Sequence, residues 1–83
     1  MAAPHIKVMS RHECGLCEAA KTVVRQAASQ GLCTWECVDV DRDKALLARY
    51  GMDVPVILVN DAECFRHRLE ANALNMVLEA CEC

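Results

Sequence analysis

The chain has 83 residues, a formal net charge of −3, 54% hydrophobic residues, 25% charged residues and only 4% aromatic ones. That composition excludes a disordered or collagen-like chain, and the length leaves material for one small core of aliphatic side chains and cysteine. The nine Lys and Arg residues form no basic run, which argues against nucleic acid as a partner, and the longest apolar stretch, residues 54–59, is far short of the ~20 residues a membrane helix requires.

Residues 6–9 are β-branched at two positions and lead into the polar Ser10, Arg11, His12 and Glu13, predicting a first, central strand that opens into a loop. From Gly15, apolar Leu16, Ala20, Val23, Val24 and Ala27 recur at helical spacing, and Gly31 supplies a stop. Residues 34–40 alternate as a second strand, and the intervening helix makes it parallel to the first. Asp41 or Asp43 then caps a short helix carrying Leu46, Leu47 and Tyr50, which Gly51 ends. Residues 56–59, Val-Ile-Leu-Val, read as a strand buried on both faces. Asn60 and Asp61 signal a hairpin turn into an edge strand over residues 63–67, and Leu74, Val77, Leu78 and Cys81 define a final amphipathic helix. The order is β-α-β-α-β-β-α in one domain spanning residues 1–83.

Chemistry concentrates in Cys14-Gly15-Leu16-Cys17, at the junction of the first strand and first helix. A cysteine at a helix start meets unpaired N–H groups and the positive end of the helix dipole, which favour thiolate over thiol. Cys17, nearly one turn on, is within reach of Cys14 for a disulfide. Arg11 and His12 would favour the thiolate, whereas Glu13 and Asp53 would oppose it. Residues 1–5 are too brief for a signal peptide, so a cytoplasmic protein with mostly reduced thiols is expected, and seven cysteines cannot all pair within one chain. Cys37 and Cys64 read as small hydrophobes at strand positions, Cys81 continues the apolar stripe of the last helix, and Cys33 and Cys83 read as exposed thiols; His5 and His67 have no evident partner.

The dithiol motif between strand and helix, the Val38-Asp39-Val40-Asp41 strand end, Tyr50-Gly51, and Val54-Pro55 before the buried strand together resemble the thioredoxin superfamily, most closely its small glutaredoxin-like members. The resemblance covers nearly the whole chain. It implies a three-layer α/β fold with a mixed four-stranded sheet, and a thiol-disulfide oxidoreductase with Cys14 as nucleophile and Cys17 as resolving thiol. It also implies a cis bond at Pro55, with the backbone of Val54 open to a substrate chain, and Arg11 at the position of the glutaredoxin lysine. No bound cofactor is implied; glutathione would serve as reductant or substrate, and the partner would be a disulfide-containing protein or a glutathione mixed disulfide acted on by a monomer.

The motif departs from the glutaredoxin pattern at Gly15, Arg11 and Asp53 and from the thioredoxin pattern at Leu16, and residues 65–70 lack the Gly-Gly turn that helps hold glutathione. Two other classes of function compete. One is a cysteine-based metal module completed by Cys33 and Cys37 or by Cys81 and Cys83, although their spacing matches paired zinc ligands poorly. The other is a non-catalytic thioredoxin-fold adaptor.

Overall fold

The computed structural model describes residues 3–81, with the side chain of Cys81 outside the description. Its elements are β1 (His5–Ser10), α1 (Gly15–Ser29), β2 (Thr34–Asp39), α2 (Lys44–Tyr50), β3 (Val56–Val59), β4 (Ala62–Arg66) and α3 (Ala71–Cys81), with a single 3₁₀ turn over Val40–Arg42 before α2. The strands form one mixed sheet in the order β2-β1-β3-β4. β1 runs parallel to β2 and antiparallel to β3, and β3 pairs antiparallel with β4.

Strand alternation divides the core between the two faces of this sheet. Ile6, Val8, Ile57 and Val59 point to one face, where they pack with Ala20, Val24 and Ala27 of α1 and with Leu74 and Leu78 of α3. Met9, Val56 and Leu58 point to the other, against Val40 and Tyr50. Because β1 and β3 are central and covered on both sides, residues 56–59 contain no polar alternation, as buried strands require.

Local chemistry sets the element ends. Gly31, at φ 77°, turns the chain back after α1, so that the Leu32 N–H donates to the Ala27 carbonyl at 3.1 Å. This return carries Cys33 under α1 into the core, where it is 4% exposed, so the expectation of a surface thiol fails. Asp43, rather than Asp41, caps α2 by accepting from the N–H groups of Ala45 and Leu46. Asn60 and Asp61 both have positive φ, the backbone of a tight two-residue hairpin turn, and the Asn60 side chain ties that turn to β1 by accepting from the His5 N–H at 2.9 Å.

Gly51 stops α2 for a different reason from the one its sequence context implies. Its φ is −55°, open to any residue, but an added Cβ would lie 2.5 Å from the Leu47 carbonyl oxygen and 2.7 Å from Leu47 Cδ1. The side chain can swing away; the helix carbonyl cannot. Gly51→Ala should therefore destabilise the fold by about 1–3 kcal/mol through overpacking, read as a lower midpoint in urea unfolding at unchanged slope.

Candidate active site

The loop between β1 and α1 is held from below by two carboxylates. Arg11 Nε donates to Asp41 Oδ1 at 2.9 Å, and the His12 N–H donates to Asp41 Oδ2 at 3.4 Å. His12 Nε2 lies 3.2 Å from Asp39 Oδ2, and Asp39 itself accepts the Asp41 N–H at 3.0 Å. The guanidinium of Arg11 also reaches the Gly51 carbonyl at 3.5 Å. Both side chains expected to favour a Cys14 thiolate are thus engaged by aspartates, Asp39 at the end of β2 and Asp41 in the 3₁₀ turn after it. Glu13 follows in the left-handed region at φ 54°, turning the chain so that Cys14 becomes the N-cap of α1.

Cys14 and Cys17 are joined by a disulfide, with Cα atoms 5.2 Å apart. Cys14 is partly exposed at the start of α1, whereas Cys17 is 1% exposed one turn inside it. The Cys17 N–H donates to Cys14 Sγ at 3.1 Å, so an orphan donor of the helix N-terminus is aimed at the outer sulfur. When the pair is reduced, that donor and the helix dipole favour negative charge on Cys14.

A second segment, residues 53–55, leads into β3. The Val54–Pro55 peptide bond is cis. The carbonyls of Asp53 and Pro55 both accept from the His67 N–H, at 3.3 and 2.9 Å. Among the described residues, neither the N–H nor the C=O of half-buried Val54 has a hydrogen-bond partner. The Asp53 carboxylate is occupied by Arg66 at 2.9 Å and His67 Nε2 at 3.4 Å. Its charge is therefore met locally by β4 and the residue after it, a partnership that counters the expected repulsion of a thiolate. Two of the large exposed apolar side chains belong to these segments: Leu16, 48% exposed between the two cysteines, and Met52, 91% exposed two residues before Val54.

Residues 5–79 match the model of the family described as Glutaredoxin-like domain (DUF836). The chain belongs to this family. The glutaredoxin-like domain is 28% identical over 81 residues to the Glutaredoxin-like protein YDR286C homolog of Dictyostelium discoideum, with 90% of this chain and 75% of that relative covered. Among solved structures, the structural-genomics protein XcR50 from X. campestris superposes with a TM-score of 0.76 at 28% identity, covering 90% of this chain and 96% of that one. A mutant thioredoxin from Halobacterium salinarum gives a TM-score of 0.69 at 24% identity over 95% of this chain and 74% of its own, a likeness of fold.

Of the remaining cysteines of the glutaredoxin-like domain, Cys37 and Cys64 differ from the small hydrophobes their strand positions suggest. Cys37 and Cys64 are exposed, because β2 and β4 are the two edges of the sheet, and Cys64 is the extra residue where the β3–β4 register shifts. Cys37 Sγ lies 3.1 Å from the hydroxyl of Ser10. Cys83 lies outside the described residues, as does the side chain of Cys81. Among the described residues, the single grouping of three or more potential metal ligands is His12, Asp39 and Asp41, which contains no cysteine, so Cys14, Cys17, Cys33 and Cys37 are not gathered as a metal module would need.

Burial pushes the Cys33 thiol above its ordinary value of 9.0. The folded protein then holds this proton more tightly than the unfolded chain. The resulting stability is intact below the ordinary value and is lost as pH rises through the raised folded one. At neutral pH, iodoacetamide should label Cys37 and Cys64 in the native protein but reach Cys33 only after denaturant is added, as counted by peptide mass spectrometry.

Sequence reasoning missed the partners more than the residues. Arg66 and His67 emerge as neighbours of the Val54 segment, and His5, expected to stand alone, pairs with Thr34 Oγ1 at 2.8 Å. The acidic character of Asp53 beside the two consecutive basic residues 66 and 67 was the available signal, but only the hairpin brings them together.

Proposed function

We propose that this glutaredoxin-like domain is a thiol-disulfide oxidoreductase that uses Cys14 and Cys17 as a two-electron couple. The observation that carries this reading is the disulfide at the head of α1, with one sulfur partly exposed and hydrogen-bonded by a helix N–H and the other buried behind it. In the reducing direction, the Cys14 thiolate attacks one sulfur of a substrate disulfide, forming a mixed disulfide and releasing one substrate thiolate, which takes a proton from solvent. Cys17 then loses its proton and attacks Cys14 Sγ. The Cys14–Cys17 disulfide forms, the second substrate thiolate leaves, and two electrons have passed from the dithiol to the substrate.

In this reading Val54 and Pro55 form the docking edge: the Val54 N–H and C=O, unpaired among the described residues, donate to and accept from a substrate backbone in strand fashion. Arg11 braces the loop that presents Cys14, and His12 assists through the same loop. Leu16 and Met52 give the rim apolar contacts that fit a peptide or protein disulfide better than a small polar one. The family relation favours a second substrate class, a glutathione mixed disulfide, with glutathione returning the dithiol to its reduced state. A monomer working in the cytoplasm, where a reductant pool is present, fits both classes.

The test is turnover of a disulfide-bridged peptide with dithiothreitol as electron donor, run beside the glutathione mixed disulfide of the same peptide. Rates above those of dithiothreitol alone are expected, and their ratio ranks the two substrate classes. Rates equal to dithiothreitol alone on both would reject the proposal in favour of a non-catalytic adaptor.

A further inference from the structure

The segment that carries Val54 is gripped on both flanks by the end of β4. On one side, the Asp53 carboxylate is shared between Arg66 Nη1 at 2.9 Å and His67 Nε2 at 3.4 Å. Arg66 is itself steadied by Glu63 and lies opposite Val56 in the β3–β4 register. On the other side, the main-chain N–H of His67 is divided between the carbonyls of Pro55 and Asp53. His67 reaches both because its φ is 65°, a left-handed conformation costly for a residue with a Cβ. Asp53 and Pro55 are thereby fixed while Val54, between them, keeps its N–H and C=O unpaired among the described residues.

From this we infer that Asp53, Arg66 and His67 are positioning residues: a clamp that holds the Val54 edge in the conformation a substrate backbone must meet. The inference rests on the oxidoreductase reading above and adds to it a device acting on substrate docking rather than on sulfur chemistry. Three features argue for it. The clamp brackets the one residue of the segment that is left open. It includes a strained backbone position whose N–H has no other partner among the described residues. Its side-chain contacts, the Arg66–Asp53 ion pair among them, are partly exposed, so they add little to overall stability, and their effect is local. Without the clamp, the segment would have to be ordered anew at each binding event. Fixing the backbone of one residue corresponds to about a five- to thirtyfold change in an equilibrium.

The experiment measures KM and kcat separately for two disulfides: a peptide disulfide whose backbone can pair with Val54, and bis(2-hydroxyethyl) disulfide, which has no backbone. Asp53→Ala removes the carboxylate that Arg66 and His67 both contact, and Arg66→Gln breaks the same grip from the other side. His67→Gly keeps the main-chain bonds and discards the imidazole. For Asp53→Ala, KM for the peptide should rise about five- to thirtyfold with kcat changed by less than about twofold. Arg66→Gln should follow in the same direction, and His67→Gly should have the smallest effect. With the small disulfide, KM should shift by less than about twofold in all three.

A peptide KM unchanged in both Asp53→Ala and Arg66→Gln, or KM values that rise equally for both disulfides, would overturn the clamp while leaving the oxidoreductase reading in place. Failure of the unmodified protein to turn over either disulfide would overturn both. Denaturant unfolding of each variant checks that it is folded, and Arg66→Gln, at an exposed side chain, carries the test if Asp53→Ala is not.

Discussion

Replacing Cys14 with Ser is expected to bring disulfide turnover down to the uncatalysed rate, a loss on the order of a thousandfold or more, because no other described thiol stands in its position. A hydroxyl in place of the sulfur is not ionised near neutral pH and cannot form the mixed disulfide, so neither the helix N-terminus nor the docking edge has a nucleophile to assist. Cys33 is buried in the core, and Cys37 and Cys64 lie on strand edges rather than at the head of α1. The measurement is reduction of a peptide disulfide with dithiothreitol as donor. Unfolding midpoints of the reduced proteins should agree closely, since Cys14 is partly exposed and its side chain contributes little packing.

The largest effect on stability should come from Ile57→Ala. Ile57 is fully buried in the centre of β3, opposite Val8 on β1 and Phe65 on β4, within the core shared by α1 and α3. Truncation loses the transfer free energy of the removed carbons and leaves a cavity that central strands cannot close, a cost of about 3–5 kcal/mol. A domain of this size has roughly 4–12 kcal/mol in total. The substitution should therefore lower the thermal midpoint by about 15–30 °C, as followed by circular dichroism. A comparable truncation at Met76, exposed on α3, should change it little.

The order of elements could be read from the sequence because each announces itself within a short window. Apolar spacing marks α1 and α3, the unbroken Val56-Ile57-Leu58-Val59 run marks a strand covered on both faces, and Asn60-Asp61 marks the turn. The Cys14–Cys17 pair at the junction of β1 and α1 was equally visible, since its spacing and helix-start position are local facts.

What sequence could not give depends on distant partners. Arg11 meets Asp41 thirty residues away, and Asp53 meets Arg66 thirteen away, so the charges expected around Cys14 are redistributed by contacts that no window contains. Cysteine burial failed for a related reason. Alternation says which face of a strand a residue occupies, but whether that face is covered depends on strand order, and β2 and β4 are edges. Gly51 shows the same limit at the level of one residue: its place after α2 suggests a left-handed stop, and the fold uses it for the room it leaves beside the Leu47 carbonyl.

The account turns on Cys14 as the sulfur that meets substrate and Cys17 as the one that resolves it. The most direct measurement is mass spectrometry of reduced Cys17→Ser protein after exposure to a peptide disulfide, with peptide mapping of the adduct. The account predicts a stable mixed disulfide, one peptide per protein, located on Cys14. Failure to trap an adduct at Cys14 while the exposed Cys37 and Cys64 are modified would contradict it.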